Sequence, residues 1–221
     1  MLKDYSDKLD EINDKMLSIT QDILDANKII LTGLQECNKG LLDNAKSNLK
    51  NMCTRTTEID NSIVKILALY SPEAKDLRFA VSFFKISNEL LRASSNTRTF
   101  ITGLSNYCTE LDETTVKEFA VPMQESTIDC LTAVMKMIKA TSNDETQEFF
   151  NKIIVSENKT DDYYELLQDN IYKKAPNIED FSKFTKILRA LRKSEKIADR
   201  ALDVGSLLLF ARIGGELGTA E

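Results

Sequence analysis

The chain has 221 residues, of which 42% are hydrophobic and 29% charged, with only seven Gly and three Pro and a net charge of -6. That length suits one large or two small domains, and few helix breakers beside many Leu, Ile, Lys, Asp and Glu point to long helices without β-hairpins. Net negative charge without a dense Lys/Arg run argues against nucleic-acid binding, and the complete absence of His removes Ser-His and Cys-His pairs, HExxH zinc sites and the Glu-x-x-His pairs of di-iron bundles.

The first helix is a seam in steps of three and four: Tyr5, Leu9, Ile12, Met16, Ile19, Ile23, Ala26, Ile30, Leu34 and Cys37. Asn38-Lys39-Gly40 is expected to cap its C-terminus. The second helix runs from Leu42 through Ala45, Leu49, Met52, Thr56, Ile59, Ile63 and Ile66 to Tyr70. Ser71-Pro72-Glu73 then reads as N-cap, first-turn proline and acidic first turn of a third helix. That helix carries Leu77, Val81, Phe84, Leu91 and Ile101 around a polar middle of Ser87, Asn88, Ser94, Ser95 and Arg98.

Residues 105–115 lose the period and read as a linker. A fourth helix follows with Val116, Phe119, Met123, Thr127, Cys130, Val134 and Met137, with Pro122 in its first turns or at a kink. Thr141-Ser142-Asn143-Asp144 breaks the chain, and a fifth helix runs from about Glu145 to Lys174. Pro176-Asn177 turns it, with Asn177 capping a sixth helix and Asp180 at the capping-box position. Gly214-Gly215-Glu216-Leu217-Gly218 reads as a frayed tail. The order of helix, helix, Pro-turn, helix occurs twice. This predicts an all-α fold of six long helices, a tandem pair of antiparallel three-helix bundles spanning 1–108 and 109–221. The N-terminus has no apolar leader, and the longest apolar run, Leu207 to Ala211, is far too short for a membrane span. The scattered Cys37, Cys53, Cys108 and Cys130 form no CxxC and are expected to be buried reduced thiols of a cytoplasmic protein.

Four carboxylates interrupt the apolar pattern of the last two helices. The inward stripe of the fifth runs Phe150, Ile153, Glu157, Asp161, Tyr164, Gln168, Ile171; that of the sixth runs Phe181, Phe184, Leu188, Leu191, Glu195, Ala198, Leu202, Gly205, Leu209. Glu157, Asp161 and Glu195 therefore fall on the predicted buried line, with Asp199 one turn beyond Glu195. Folding back at Pro176-Asn177 brings 157 level with 195 and 161 level with 191 to 195, so the acids meet at one height. Carboxylates packed in a partly dry interior are costly unless protons, cations or a metal neutralise them. Two readings stand side by side: a salt-bridged layer using Lys159, Arg192, Lys196 or Arg200, or a metal site. An oxygen-only donor set suits Mg, Mn or iron held by bridging carboxylates.

Pro72-Glu73-Ala74-Lys75-Asp76-Leu77-Arg78 resembles the Pro-x-Ala-x-Asp-Leu-Arg of the PhoU family, and Ser194-Glu195-Lys196-Ile197-Ala198-Asp199 is similar to its Leu-Glu-Arg-Ile-Ala/Gly-Asp signature. The resemblance spans nearly the whole chain. It implies two PhoU-like three-helix repeats in a non-enzymatic regulator of phosphate uptake and phosphate-starvation signalling. Such a protein is cytoplasmic and peripheral to the inner face of the membrane. Its implied partners are a membrane phosphate transporter or its ATPase subunit and a sensor histidine kinase, and a homodimer is compatible with it. It also implies that E/D-x-x-x-D motifs bind metal ions.

Carried over, the motif is intact at Glu195 and Asp199, and the fifth-helix pair is Glu157 and Asp161. The first repeat departs: its third-helix positions hold Leu91 and Ser95, and its second helix keeps Asp60 with Thr56 one turn earlier. A divalent metal or iron is accordingly expected in the second repeat only. Asp76 and Arg78 are the candidate partner-binding residues; helix initiation explains Asp76 as well, while Arg78 either bonds the preceding hairpin or sits at a partner-facing end. The alternative function is a helical adaptor or metal-storing bundle outside the phosphate pathway, since fold does not fix function.

Overall fold

The computed structural model describes residues 2–174 and 178–215, without the side chains of residues 2–4, 108 and 178–180. The expected turn at Pro176-Asn177, the Asn177 cap, Asp180 and residues 216–218 of the tail lie outside the described residues. Within them every regular element is helical: α1 (Leu2–Glu36), α2 (Lys39–Asn48), α3 (Met52–Tyr70), α4 (Ala74–Tyr107), α5 (Glu113–Thr115), α6 (Val121–Lys139), α7 (Asn143–Lys173) and α8 (Ile178–Ile213). A single 3-10 turn, Cys108–Glu110, follows α4.

The α1 seam is buried as its period requires, from Ile12 through Met16, Ile19, Ile23, Ala26 and Ile30 to Leu34. Asn38 opens α2 instead of closing α1, because its side-chain oxygen accepts from the Gly40 and Leu41 amides. The continuous second helix expected from the sequence is two helices. The chain breaks at 49–51, where Asn51 adopts a left-handed φ of 56°, a conformation Asn tolerates. Arg98 of α4 donates to the Leu49 carbonyl at 2.8 Å and satisfies an acceptor that the break would orphan.

Ser71 does not cap the start of the next helix. It closes α3 at φ 44°, and α4 begins three residues later at Ala74. Pro122 is accommodated by a π-helical turn, Val116–Ala120, that fuses α5 to α6; the Val121 amide bonds the Val116 carbonyl, so the ladder widens just before the residue that lacks an N–H. At the α6–α7 corner Ser142 and Glu145 form a capping box. Arg212 of α8 donates to the Ala140 and Ile138 carbonyls, satisfying the exposed end of α6.

The helices form two antiparallel three-helix bundles, α1 with α2–α3 and α4, then α6, α7 and α8. Their most extensive mutual contact is α4 against α8. The two run antiparallel: Glu89 meets Arg200, Asn96 meets Lys196, and Gly103 meets Ala190. A Cβ at Gly103 would run into the Ala190 methyl, so glycine sets the closest approach. The buried apolar side chains form one core continuous across both bundles.

A polar layer crosses that core. Asn27 of α1 bonds Thr97 of α4 at 3.2 Å, Gln124 of α6 donates to Asn27 Oδ1 at 3.0 Å, and Ser194 of α8 donates to Gln124 Oε1 at 2.7 Å and meets Thr127 at 2.8 Å. All five side chains are fully enclosed. Cysteine usage departs from the expected reduced thiols: Cys37 is disulfide-bonded, Cys53 is an exposed thiol and Cys130 a buried one. No helix among the described residues is long and apolar enough to cross a membrane.

Candidate metal centre

The inward row of α7 is Ile153, Thr160, Leu167 and Ile171, not the stripe that includes the acids. Thr160 can occupy it because its hydroxyl bonds the Ser156 carbonyl. Glu157 and Asp161 consequently sit one position to the side, where α7 borders α8. Glu157 is half-buried and Asp161 is exposed, which corrects the expectation that both lie on the buried line.

From α8, Asp199 projects into the same place. Single carboxylate oxygens of Glu157, Asp161 and Asp199 all lie within 4.8 Å of one another, the one such group of three His, Cys, Asp or Glu ligands among the described residues. Burial and then the neighbouring carboxylates push Glu157 up to about 7. The same causes raise Asp161 to about 6, although its exposure lets solvent screen the effect. Neither makes a salt bridge among the described residues. Cys130 faces this side of the core, but burial, then Glu157, hold its thiol protonated.

The fourth expected acid is placed differently. Glu195 is largely enclosed and held by cations of its own helix: Lys196 Nζ at 3.1 Å and Arg192 Nε at 3.4 Å. Lys196 also reaches Asp199 at 2.7 Å. Burial lowers the Lys196 pKa, but its bonds to Asp199 and Glu195 outweigh that and raise it. Arg200 lies 3.8 Å from Asp199 and bridges more closely to Glu89 of α4 at 3.0 Å and Asp203 at 2.7 Å. The ion-pair and metal readings thus divide the residues between them. Lys196, Arg192 and Arg200 neutralise Glu195 and Asp199, while Glu157, Asp161 and one side of Asp199 remain a concentration of negative charge. Three convergent oxygens without His or thiolate fit a hard cation, or iron bridged by carboxylates. Glu89 and Asp203 escaped the sequence reading, although Asp203 lies one turn beyond Asp199 on the same face.

Among the described residues the first bundle has no counterpart. Asp60 accepts from the Ser87 hydroxyl. Thr56 is buried, its hydroxyl turned back on the Met52 and Cys53 carbonyls. Leu91 is half-buried, and Ser95 is exposed. Asp76 is exposed at the start of α4, beside the hydroxyl of Tyr5, whose pKa burial and then the Asp76 charge raise. Arg78 is half-buried instead, its guanidinium carbon 3.6 Å from where a Gly214 Cβ would stand at the C-terminus of α8. A cation there complements the helix dipole.

The sequence matches no protein-family model and no curated protein. Solved structures do match over nearly the whole chain. PhoU from Pseudomonas aeruginosa superposes with a TM-score of 0.80 at 17% identity, covering 94% of this chain and 98% of that one. The phosphate transport system regulatory protein PhoU from Streptococcus pneumoniae gives 0.72 at 18% identity, over 94% and 96%. A PhoU-like protein from Shewanella oneidensis gives 0.63 at 13% identity, over 90% and 94%. The chain has a PhoU-like fold.

Proposed function

We propose that this PhoU-fold chain is a cytoplasmic, non-enzymatic regulator of phosphate uptake and phosphate-starvation signalling, acting by contact with a membrane phosphate transporter or its ATPase and with a sensor histidine kinase. The observation that carries the proposal is the end-to-end structural likeness to a phosphate transport system regulatory protein. The absence of His and of any Gly-rich phosphate loop supports regulation without catalysis. Asp76 is the proposed partner contact, being exposed at the end of the bundle where α4 begins; Arg78 supports that end by packing against α8. Deletion of the gene should alter phosphate uptake in replete cells, and a pull-down should recover a transporter subunit or kinase and lose it with Asp76→Ala. Unaltered uptake together with recovery of neither partner removes this reading.

A metal-binding role for the second bundle is supported by a separate observation, the three converging carboxylates. Glu157, Asp161 and Asp199, joined by Glu195, would hold a hard divalent ion or iron, which would supply positive charge tying α7 to α8. Binding stabilises the folded state by about 2.7 kcal/mol at a hundredfold excess over the dissociation constant. Thermal unfolding with Mg or Mn should therefore shift upward in the native chain and in Asp60→Asn, but not in Glu157→Gln/Asp199→Asn. A native melting temperature that ignores Mg, Mn, Zn and Fe excludes the site.

A further inference from the structure

One ammonium group stands beside the acidic residues of α7 and α8 and contacts those of α8. Lys196 lies between Glu195 and Asp199 in the chain and contacts both, at 3.1 Å and 2.7 Å. No other cation among the described residues bridges the two acids of that motif. Arg192 reaches Glu195 but lies over the Tyr164 ring, and Arg200 is engaged by Glu89 and Asp203. Lys196 also supplies the attractive charge felt by Glu157 and Asp161, which have no ion pair of their own.

We propose that Lys196 is an internal counter-cation: its ammonium must leave Asp199 before Glu157, Asp161 and Asp199 can share a divalent ion, and its departure leaves Glu195 held by Arg192 alone. The inference rests on the metal reading above. The Asp199 carboxylate, which Lys196 grips at Oδ2 and which also converges with Glu157 and Asp161, faces competing demands. A hard cation sits roughly 2.0 to 2.6 Å from its oxygens, so an ion on that carboxylate would lie within a few ångströms of the ammonium and repel it strongly. A lysine can yield. Its charge rides on a flexible four-carbon stem, and its side chain is already 34% exposed, so water lies within reach. The arrangement also accounts for the position of Glu195. It is held to α8 by Lys196 and Arg192 instead of joining the other three acids. The lysine stabilises the metal-free protein and weakens the site, so occupancy requires a higher free metal concentration than the acids alone would.

The test is Mn2+ titration of the full chain at one pH and ionic strength, with free Mn2+ read by electron paramagnetic resonance and thermal unfolding recorded in parallel. Lys196→Met should bind Mn2+ about tenfold more tightly than native while its metal-free form melts lower. Lys196→Arg keeps the charge and grips carboxylates bidentately, so it should bind more weakly than native. If native binds and Lys196→Met binds equally or less tightly, the counter-cation role is wrong and the metal site stands. If none of the three proteins binds, the metal reading itself fails, and this inference with it. Should Lys196→Met not fold, the arginine variant decides: affinity equal to or above native overturns the proposal.

Discussion

Replacing Gln124 by leucine isolates the energetic worth of the polar layer that joins the bundles. Gln124 is fully buried; its amide nitrogen is 3.0 Å from both the carbonyl and Oδ1 of Asn27, and its oxygen accepts from Ser194 at 2.7 Å. Leucine fills similar space and removes all three bonds. Ser194 retains Thr127, and the Asn27 amide nitrogen retains the Ile23 carbonyl and Thr97, so the group left without a partner is Asn27 Oδ1. A buried acceptor left unsatisfied costs about 1–3 kcal/mol. For a chain of this length a cost of about 2 kcal/mol lowers the melting temperature by roughly 4–8 °C. Urea unfolding followed by circular dichroism would measure it. Asn27→Leu/Gln124→Leu removes both partners and should recover much of the loss, with a coupling energy of about 1 kcal/mol or more. A single mutant within about 0.5 kcal/mol of native, or a double mutant equal to the sum of the singles, would refute the reasoning.

Gly103→Ala should destabilise by about 1–3 kcal/mol in the same assay, because the new methyl meets the Ala190 backbone and side chain across α4 and α8, outweighing the better helix propensity of alanine. A neutral or stabilising result would mean that the two helices are not in close contact there. Stability of the metal-free protein should fall as pH rises from about 5 to 8. Glu157 and Asp161 hold their protons more tightly folded than unfolded, so the folded state binds more protons over that window. Glu157→Gln/Asp161→Asn should flatten this slope, and an unchanged slope would place its origin elsewhere. We also propose 1–108 and 109–221 as the units of the chain; residues 1–108 alone should be helical but should unfold with low cooperativity, since α4 loses its cover from α8. A sharp, native-like transition in that fragment would show that the cross-bundle contact is dispensable.

Much of the fold was legible because long seams in steps of three and four leave few alternatives. What escaped has identifiable causes. Asn51 was a visible signal for the break between α2 and α3, but the apolar steps run through it, and Leu49 is buried on one side of the break and Met52 on the other. At Ser71 and Ala74 the positive φ values, 44° and 48°, carry no residue signal, since neither residue favours that region. In the polar layer Asn27 falls between Ile23 and Ile30 at core spacing, and a stripe read by its apolar members passes over it. The site was partly legible. Period alone brought Glu157, Asp161, Glu195 and Asp199 to one height, because i, i+4 spacing and antiparallel packing fix where helix faces meet, and three of the four converge. It could not tell that Thr160, by bonding its own backbone, would take the inward place and turn the acids toward solvent. Nor could it decide which of the neighbouring cations would claim Glu195, since that contest is settled by side-chain rotamers.

The same contacts explain why the two bundles kept one feature in common and not the other. Asn27 with Thr97, and Gln124 with Ser194, are pairs 70 residues apart, and each member of the second lies 97 residues beyond its equivalent in the first (124 − 27 = 97; 194 − 97 = 97). The offset that carries Asn27 onto Gln124 carries Asp60 onto Glu157 and Val64 onto Asp161. The third-helix positions hold no acid whether counted from Asp-Leu-Arg, giving Leu91 and Ser95, or from the polar pair, giving Arg98 and Thr102. A buried polar pair resists substitution because losing one partner strands the other in the core. The acidic positions lie at the solvent margin: Asp161 is exposed, and Val64, its equivalent, is 53% exposed. A carboxylate can be exchanged there at little cost to folding, provided that any acid left behind finds a donor, as Asp60 does in Ser87. The cluster in the second bundle carries the opposite burden. Raised proton affinity at Glu157 and three cations engaged by Glu195 and Asp199 mark a dense charge there, and that density is the ground on which a bound cation is proposed for this bundle and not for the first.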